Sequence, residues 1–305
     1  MLSFSTCWNS HRHTDGEAVA HEIRAMGFDT IEISHGLKVS LLPGLQKAFR
    51  EKVVKVSGLH NFCPSPVELM IDAPDAYEFT SFRPHERERA MSLTLKTLEF
   101  AAQFEARYVV LHLGSVPMKK YTERLEKLVA AGQILSREYV KLKLEFLAAR
   151  EKLAPLYFSR AKAAVEQIAE KAKIEGVPVV IESRSHFEQV PSEREMLELL
   201  AHFEDNPWVG YWHDFGHVQR KAFLGLLDHG QYLRSVLPYW HGCHLHDVEW
   251  PTRDHRVPLS SGGVDFDTFI PLLPKGRPIV WELSSRRRKQ TIIDALPQWR
   301  EKFGD

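Results

Sequence analysis

Short apolar runs rich in β-branched and aromatic residues alternate along the chain with longer stretches of helical periodicity. The strands run apolar through most of their length, which is typical of parallel strands covered by helices. Eight strand–helix units within 305 residues predict an α/β fold, a (β/α)8 barrel that forms a single domain over residues 1–305. The predicted strands are residues 2–7, 30–34, 53–60, 108–114, 177–183, 208–214, 241–247 and 278–284.

Local signals at the predicted helix ends agree with this division. Gly27 follows the amphipathic stretch GEAVAHEIRAM and predicts a helix C-terminus there. Ser192 and Glu195 have the spacing of a capping box and predict a helix start. No GxGxxG motif follows the first strand, which disfavours an open dinucleotide-binding sheet. The closed TIM barrel is therefore the predicted architecture.

One connection is too long for a single helix. More than 60 residues separate the fourth and fifth strands, and residues 118–153 are Lys/Glu-rich with helical periodicity. We therefore predict a helical insertion at about 118–153, between strands 4 and 5. It leaves the C-terminal end of a strand, so it could form a lid or the contact of a homo-oligomer. A solvated elaboration without a role is the alternative.

Charge and composition limit the function classes. The 40 basic and 40 acidic residues balance, so no long-range basic field favours nucleic acid or an anionic membrane. The three cysteines are far apart and form no disulfide framework, as expected in a reducing cytoplasm. The first residues do not resemble a signal peptide, and no apolar run reaches 18 residues. We expect a cytoplasmic protein with a small-molecule ligand, and neither a nucleic acid nor a membrane partner.

Ionisable residues stand at the ends of the last four predicted strands. Glu182, Asp214, His246 and Glu282 are separated by 32, 32 and 36 residues, each about one strand–helix unit. A closed barrel brings such strand ends to one mouth. Alternation places the residue two positions earlier, such as Trp212 or His244, in the layer below. Ordinary polar caps at each strand end are the alternative interpretation.

Converging carboxylates would repel one another unless a cation lay between them. Three carboxylates and one imidazole suit one divalent metal ion, Mn²⁺ or Mg²⁺ in preference, with Co²⁺ or Zn²⁺ as alternatives. The sequence thus predicts a metal site formed by Glu182, Asp214, His246 and Glu282.

Several stretches resemble the xylose isomerase-like superfamily of metal-dependent sugar isomerases and epimerases, which also contains a zinc-dependent AP endonuclease. They are VVLHLGS, VVIESRS, VGYWHDFGHV, GCHLHDVEW, RDHRVPLSSGGVDF and IVWELS, in the family's order. The resemblance implies metal binding by Glu182, Asp214, His246 and Glu282. It also implies that Glu182 and Glu282 form the acid/base pair and that His217 contacts substrate oxygens.

Other residues near the predicted mouth could bind substrate. His60 and His112 end strands and match positions that contact substrate in the sugar isomerases or bind extra zinc in the endonuclease branch. Arg184 and Arg253 follow strand ends and could hold a phosphate or carboxylate, with surface salt bridges as the alternative. Trp250 could pack on a sugar ring.

The Gly-rich loop departs from the endonuclease pattern. Arg256 stands where the final histidine of that branch is expected, Ser260 replaces a usual glycine, and His255 is one position off register. A complete trinuclear zinc site is therefore disfavoured. The leading hypothesis is a metal-dependent sugar or sugar phosphate isomerase or epimerase, with proton transfer through an enediolate. A polyol or inosose dehydratase, an AP-endonuclease-like phosphodiester hydrolase and a catalytically inactive binding protein are the alternatives.

Overall fold

The computed structural model describes residues 1–69 and 74–305, and within them eight parallel strands close into a barrel. Each strand pairs with its neighbours in sequence, and the last pairs with the first, with Phe4 opposite Trp281. The predicted (β/α)8 architecture is confirmed. The strands are β1 Leu2–Ser5, β2 Thr30–Ile33, β3 Lys55–His60, β4 Val109–Leu111, β5 Val179–Glu182, β6 Val209–Asp214, β7 Trp240–Leu245 and β8 Ile279–Trp281.

Helices surround the barrel and join consecutive strands. They are α1 Gly16–Ala25, α2 Leu42–Arg50, α3 Pro84–Gln103, α4 Tyr121–Ala130, α5 Arg137–Glu175, α6 Glu193–His202, α7 Phe215–Phe223, α8 His229–Val236, α9 Phe266–Phe269 and α10 Lys289–Phe303. Two short antiparallel pairs lie outside the barrel: Gly114–Ser115 with Gln189–Val190, and Asp247–Glu249 with Arg253–Arg256. None of these helices is long and apolar enough to cross a lipid bilayer, a statement limited to the two described ranges.

The predicted helix ends are present. Gly27 follows the end of α1 with φ of 102°, a left-handed conformation that a glycine adopts without strain. Ser192 caps α6, and Glu195 accepts a hydrogen bond from the backbone N–H of Ser192, which completes the capping box. These caps satisfy backbone groups that the helix itself leaves unpaired.

The barrel interior is filled beneath the mouth. Tyr108 packs in a buried cluster with Val110, Val180, Trp212 and Val280, which lie one or two residues before the ends of their strands. The Tyr108 and Trp212 rings are 4.2 Å apart between centroids. This layer forms the floor on which the strand-end residues stand, as side-chain alternation predicts.

The connection between β4 and β5 contains two helices rather than one. α4 spans 10 residues, and α5 then runs for 39 residues to the loop before β5. The predicted helical insertion ends at about residue 153, but no helix ends there, because α5 continues through Pro155. α5 packs both on α4 and on α3 of the barrel wall.

Arg150 anchors α5 to the loop after β5. Its guanidinium donates to both carboxylate oxygens of Glu195, each at 2.7 Å, and to the carbonyls of Phe187 at 2.6 Å and Gln189 at 3.0 Å. Only about a tenth of either charged side chain is exposed. The contact is bidentate, the geometry in which Arg–carboxylate pairs are strongest.

Arg150→Met is expected to lower the free energy of unfolding by about 3 kcal/mol, because Glu195 would remain buried without its partner. Urea denaturation measures this change. The control is Lys141→Met, since Lys141 is exposed and 4.0 Å from Glu145; it should cost less than about 0.5 kcal/mol. Equal effects of the two substitutions would contradict the anchoring role.

Candidate functional site

Residues from four strands meet at the C-terminal mouth of the barrel. Glu182 ends β5, Asp214 ends β6, His244 lies in β7, and Glu282 follows β8 directly. Each offers one potential ligand atom, and these four atoms all lie within 4.8 Å of one another. All four residues are buried. Three of the four predicted metal ligands therefore come together.

His246, the fourth predicted ligand, lies beside this group rather than within it. Its Nε2 is 3.1 Å from the Asp214 carboxylate, and its ring stacks on His255 with centroids 4.1 Å apart. Together with His217 and His255 it forms a second set of ligand atoms within 4.8 Å. The structure thus places both imidazoles of the HLH stretch against the carboxylates, His244 on Glu182 and His246 on Asp214.

The start of α7 explains the spacing in the stretch HDFGH. Asp214 is the N-cap of α7, and its carboxylate accepts the backbone N–H of His217 at 2.6 Å. A Cβ on Gly216 would stand 1.9 Å from Cε1 of His246, so only glycine allows this close approach. The helix start therefore fixes Asp214 and His217 next to His246.

His244 lies deeper in the barrel, against the floor. Its Nδ1 is 3.0 Å from Glu182, its Nε2 is 3.0 Å from Glu32, and its ring contacts Trp212. Burial opposes a charge on this imidazole, but the carboxylates of Glu282, Glu32 and Glu182 outweigh it and raise its pKa well above the usual range. His244 therefore contributes positive charge beneath the three carboxylates.

Glu182 is surrounded by imidazoles. His112 Nε2 lies 2.5 Å from Oε2 of Glu182, and His60 Nε2 lies 3.3 Å from the same oxygen. Burial alone would raise the pKa of this carboxyl, but His112 and His244 outweigh it and hold the pKa well below 4.5. For Glu282, burial also opposes ionisation, and the imidazoles of His244 and His255 lower its pKa to about 2. Both carboxyls are ionised at neutral pH.

A cavity of about 480 Å³ opens onto these residues from the mouth. Of the predicted ligands, Glu182 and Glu282 line it, whereas Asp214, His246 and also His244 lie behind its wall. Side chains that line a cavity can contact a bound molecule directly. Glu182 and Glu282, the two predicted acid/base residues, therefore differ from the other ligands because they line the cavity.

The predicted substrate-binding residues divide into two groups. His60, His112, Arg184 and His217 line the cavity. Arg253 and Trp250 do not, because they lie at the tip of the antiparallel pair after β7. The Arg253 side chain is 75% exposed and 3.9 Å from Glu249, and the half-exposed Trp250 packs on Phe223.

His217 is held as a neutral acceptor. Its Nδ1 donates to the Ser183 carbonyl at 3.1 Å, which leaves the lone pair on Nε2. Burial lowers the pKa of His217 to about 4, although the carboxylates of Asp214 and Glu182 oppose the shift. A neutral imidazole at the cavity wall can accept a hydroxyl hydrogen.

Arg184 presents unused hydrogen-bond donors. One terminal nitrogen donates to Asp75 at 2.8 Å, while its Nε and the other terminal nitrogen have no hydrogen-bond partner among the described residues. The side chain is only 4% exposed. Buried donors without partners are costly, so an oxygen of a bound molecule would complete this group.

Three charged residues of this site have no periodic signal in the sequence and are not predicted from it. Asp75, in the loop before α3, lies 2.8 Å from His112 Nδ1 and 2.8 Å from Arg184. Glu32, in β2, supports His244 from below. Arg220, in α7, pairs with Asp254 at 2.6 Å and with Glu126 of α4 at 2.7 Å. The last contact links α4 to the cavity wall.

Asp247 fixes the Gly-rich loop after β7. Its carboxylate accepts backbone N–H groups from Ser261, Gly262, Gly263 and Val264 at 2.7–3.2 Å. A Cβ on Gly263 would stand 1.8 Å from the Val248 carbonyl oxygen, so the loop packs directly on the strand. The carboxylate therefore replaces the hydrogen bonds that this irregular backbone cannot make internally.

A family model described as xylose isomerase-like TIM barrel matches residues 20–303. No curated protein matches the chain. A D-tagatose 3-epimerase-like protein shares 16% identity and a TM-score of 0.69, over 98% of this chain and 97% of that one. The 3-keto-D-glucoside 4-epimerase from E. coli shares 15% identity and a TM-score of 0.69, over 98% of each chain. A probable 3-DHS dehydratase from Bacillus anthracis shares 13% identity and a TM-score of 0.63, over 97% of this chain and 98% of that one.

Proposed function

The chain belongs to the xylose isomerase-like TIM barrel family, and on that premise we propose that it is a divalent-metal-dependent isomerase or epimerase of a sugar or sugar phosphate. The observation that carries the proposal is the convergence of Glu182, Asp214 and Glu282 at the foot of one cavity. The epimerases among its structural neighbours support the reaction class. The expected partner is a small sugar.

The residues present fit one divalent ion. Three buried carboxylates whose oxygens lie within 4.8 Å would repel one another without positive charge between them. Carboxylate oxygens with one imidazole suit Mn²⁺ or Mg²⁺, and also accept Co²⁺ or Zn²⁺. When bound, such an ion supplies Lewis-acid stabilisation of the negative charge that develops on a substrate oxygen.

We assign the imidazole ligand to His246, as the sequence predicts, rather than to His244. His246 contacts His217 and His255, which line the cavity, whereas His244 lies on the barrel floor between Trp212 and Glu32. A substrate enters from the cavity side, so an ion that it must reach is held from that side. Metal affinity should therefore fall more for His246→Gln than for His244→Gln.

Glu182 and Glu282 are suited to move the proton. They come from β5 and β8, reach the cavity from different directions, and are both ionised. One carboxylate removes a proton from the carbon next to the carbonyl, which gives an enediolate. The carboxylic acid formed in this step returns the proton to a neighbouring carbon in an isomerisation. In an epimerisation, the opposite carboxylate first takes a proton from solvent and then delivers it to the other face of the carbon. His112 and His60 orient Glu182 through its Oε2 atom.

Arg184→Lys is expected to raise KM about tenfold or more with a smaller change in kcat. Lysine keeps the charge but has no planar fork, so it cannot replace the Nε and the second terminal nitrogen of Arg184, which have no hydrogen-bond partner among the described residues. Steady-state kinetics on the identified substrate measures both constants. Arg234→Lys, an exposed substitution on α8, is the control. An unchanged KM for Arg184→Lys would remove Arg184 from the substrate site.

The proposed function is tested by hydrogen exchange. Ketoses, aldoses and their phosphates are incubated with the Mn²⁺-loaded protein in D2O, and NMR then records deuterium at a carbon next to a carbonyl. Exchange or isomer formation that disappears in Glu182→Gln supports the proposal. No exchange with any member of the panel, from protein with one bound metal per chain, would contradict it.

Two alternatives use the same residues and give different products. A dehydratase, the class of one structural neighbour, would share the proton abstraction and then lose water, which mass spectrometry detects as a loss of 18 Da from the product. A phosphodiester hydrolase is favoured by the second ligand group of His217, His246 and His255. Elemental analysis distinguishes it, because that chemistry would need about three zinc ions per chain rather than one.

A further inference from the structure

A second, smaller cavity of about 270 Å³ adjoins the mouth. Four arginines line it: Arg256 from the strand after β7, and Arg286, Arg287 and Arg288 from the segment that leads into α10. Ser260 and Thr291 add hydroxyl groups to the wall. We call this the arginine pocket.

The pocket carries excess positive charge. Arg256 pairs with Glu249 at 3.1 Å, but no ion pair within the described residues involves Arg286, Arg287 or Arg288. Burial, together with the neighbouring cations Arg256 and Arg286, lowers the pKa of Arg287. Like charges so close together are unfavourable unless an anion is shared among them.

The beginning of α10 increases this imbalance. Its N-cap, Arg288, makes no side-chain capping hydrogen bond, and the first turn contains no acidic residue. Helix N-termini normally attract acidic side chains, because the free N–H groups and the helix dipole favour negative charge. At the start of α10, arginine side chains stand where acidic side chains are usual. The N–H groups and the guanidinium groups would both be satisfied by a bound anion.

Arg287 is held in position for such a ligand. Its backbone N–H donates to the Ser284 carbonyl at 2.9 Å, and its carbonyl accepts from Trp8 Nε1 at 2.9 Å. Its Nε atom is buried and has no hydrogen-bond partner among the described residues. A buried donor without a partner, on a residue whose backbone is held on both sides, is an independent sign of a missing acceptor.

The arginine pocket continues from the candidate active site. His255 lines the larger cavity and its neighbour Arg256 lines the arginine pocket; in the same way, Ser285 is followed by Arg286. The two segments are joined by a hydrogen bond from the Ser284 N–H to the His255 carbonyl, at 3.2 Å. One small molecule could therefore place its reacting carbons near Glu182 and Glu282 and an anionic group among the arginines.

We propose that the arginine pocket binds the phosphate group of a phosphorylated sugar substrate, an inference that rests on the proposed function and specifies its substrate class. Guanidinium groups bind phosphate oxygens in pairs, and several of them match a dianion better than a single carboxylate. Loops after the last two barrel strands commonly form phosphate sites in this fold. The pocket occupies the same location.

Binding of inorganic phosphate, measured by titration calorimetry at low ionic strength, tests the inference. We expect Arg287→Gln and Arg286→Gln to weaken phosphate binding at least tenfold each, and Arg234→Gln to leave it unchanged. Arg286 and Arg234 are both exposed, so their comparison does not depend on a change in folding. Circular dichroism verifies the fold of Arg287→Gln.

Four outcomes would overturn the inference. The first is no phosphate binding by the wild-type protein, and the second is equal binding by all variants. The third is binding that chelation of metal abolishes while the arginine substitutions do not, which would place phosphate on the metal. A DNA oligonucleotide that binds through the same arginines when phosphate and sugar phosphates do not would assign the pocket to nucleic acid. Because the assay needs no turnover, it is repeated in Glu182→Gln, and its failure is separable from failure of the proposed reaction.

Discussion

Glu182→Gln is expected to lower kcat by about 10⁴-fold while leaving the fold intact. Glutamine has nearly the same shape, but it cannot accept a proton from carbon and is a poorer metal ligand. A positioned acid or base alone contributes about 10²–10⁴-fold to the rate, and the loss of a carboxylate ligand adds to this effect. Glu182 can act both as a proton-transfer group and as a metal ligand, because it belongs to the ligand group and also lines the cavity.

Steady-state kinetics with the substrate identified by hydrogen exchange measures this change. Glu198→Gln, an exposed substitution on α6, is the matched control and should retain full activity. Thermal unfolding of both variants verifies that the barrel is preserved. Near-normal turnover by a well-folded Glu182→Gln protein would show that another group transfers the proton.

Removal of the divalent metal is expected to abolish turnover and to lower thermal stability. A ligand that binds only the folded chain stabilises it by about 2.7 kcal/mol when its concentration is about one hundred times its Kd. Each kcal/mol shifts Tm by about 2–4 °C in a domain of 150–250 residues and by less in a longer chain, so a decrease of a few degrees is expected. The physical reason is the repulsion among the carboxylates of Glu182, Asp214 and Glu282.

Calorimetry and activity measurements after chelation, and after return of Mn²⁺, Mg²⁺, Co²⁺ or Zn²⁺, test this prediction. Asp214→Asn removes one charge from the group and should abolish the metal-dependent part of the Tm shift. The Lys141→Met protein, altered on an exposed face of α5, should keep that shift. Full activity in protein shown by elemental analysis to contain no metal would exclude the proposed role of the ion.

The barrel and the outline of its site could be predicted because they depend on local patterns. Each strand is an apolar run of a few residues, and the regular spacing of Glu182, Asp214 and Glu282 becomes proximity as soon as the ring closes. The start of α7 follows from the preference of an aspartate for the N-cap. As the cap, Asp214 accepts the backbone N–H of His217 and holds the two residues together.

Other features depend on tertiary contacts and have no local signal. His244 in β7 and His246 just after it are only two residues apart, so their spacing cannot show that His244 joins the group of three carboxylates whereas His246 lies beside that group. Asp75 reaches the site from a loop more than 100 residues away from Arg184 in sequence. Trp250 and Arg253 do not line the cavity, because they lie in the turn of the antiparallel pair after β7. The sequence alone does not show the direction of that turn.

The unbroken length of α5 is a further case. Proline inside a helix removes one backbone hydrogen bond and usually bends or ends the helix. The chain nevertheless stays helical through Pro155, where Ala154 and Phe158 pack into the core. Tertiary packing therefore outweighs the local preference at this position.

A crystal structure of the protein grown with Mn²⁺, with anomalous diffraction measured at the manganese absorption edge, tests the central claim most directly. We expect one strong peak within about 2–2.5 Å of carboxylate oxygens from Glu182, Asp214 and Glu282, with the His246 imidazole as the fourth protein ligand. A peak elsewhere on the protein, or none while these carboxylates remain in contact with histidines alone, would contradict the account.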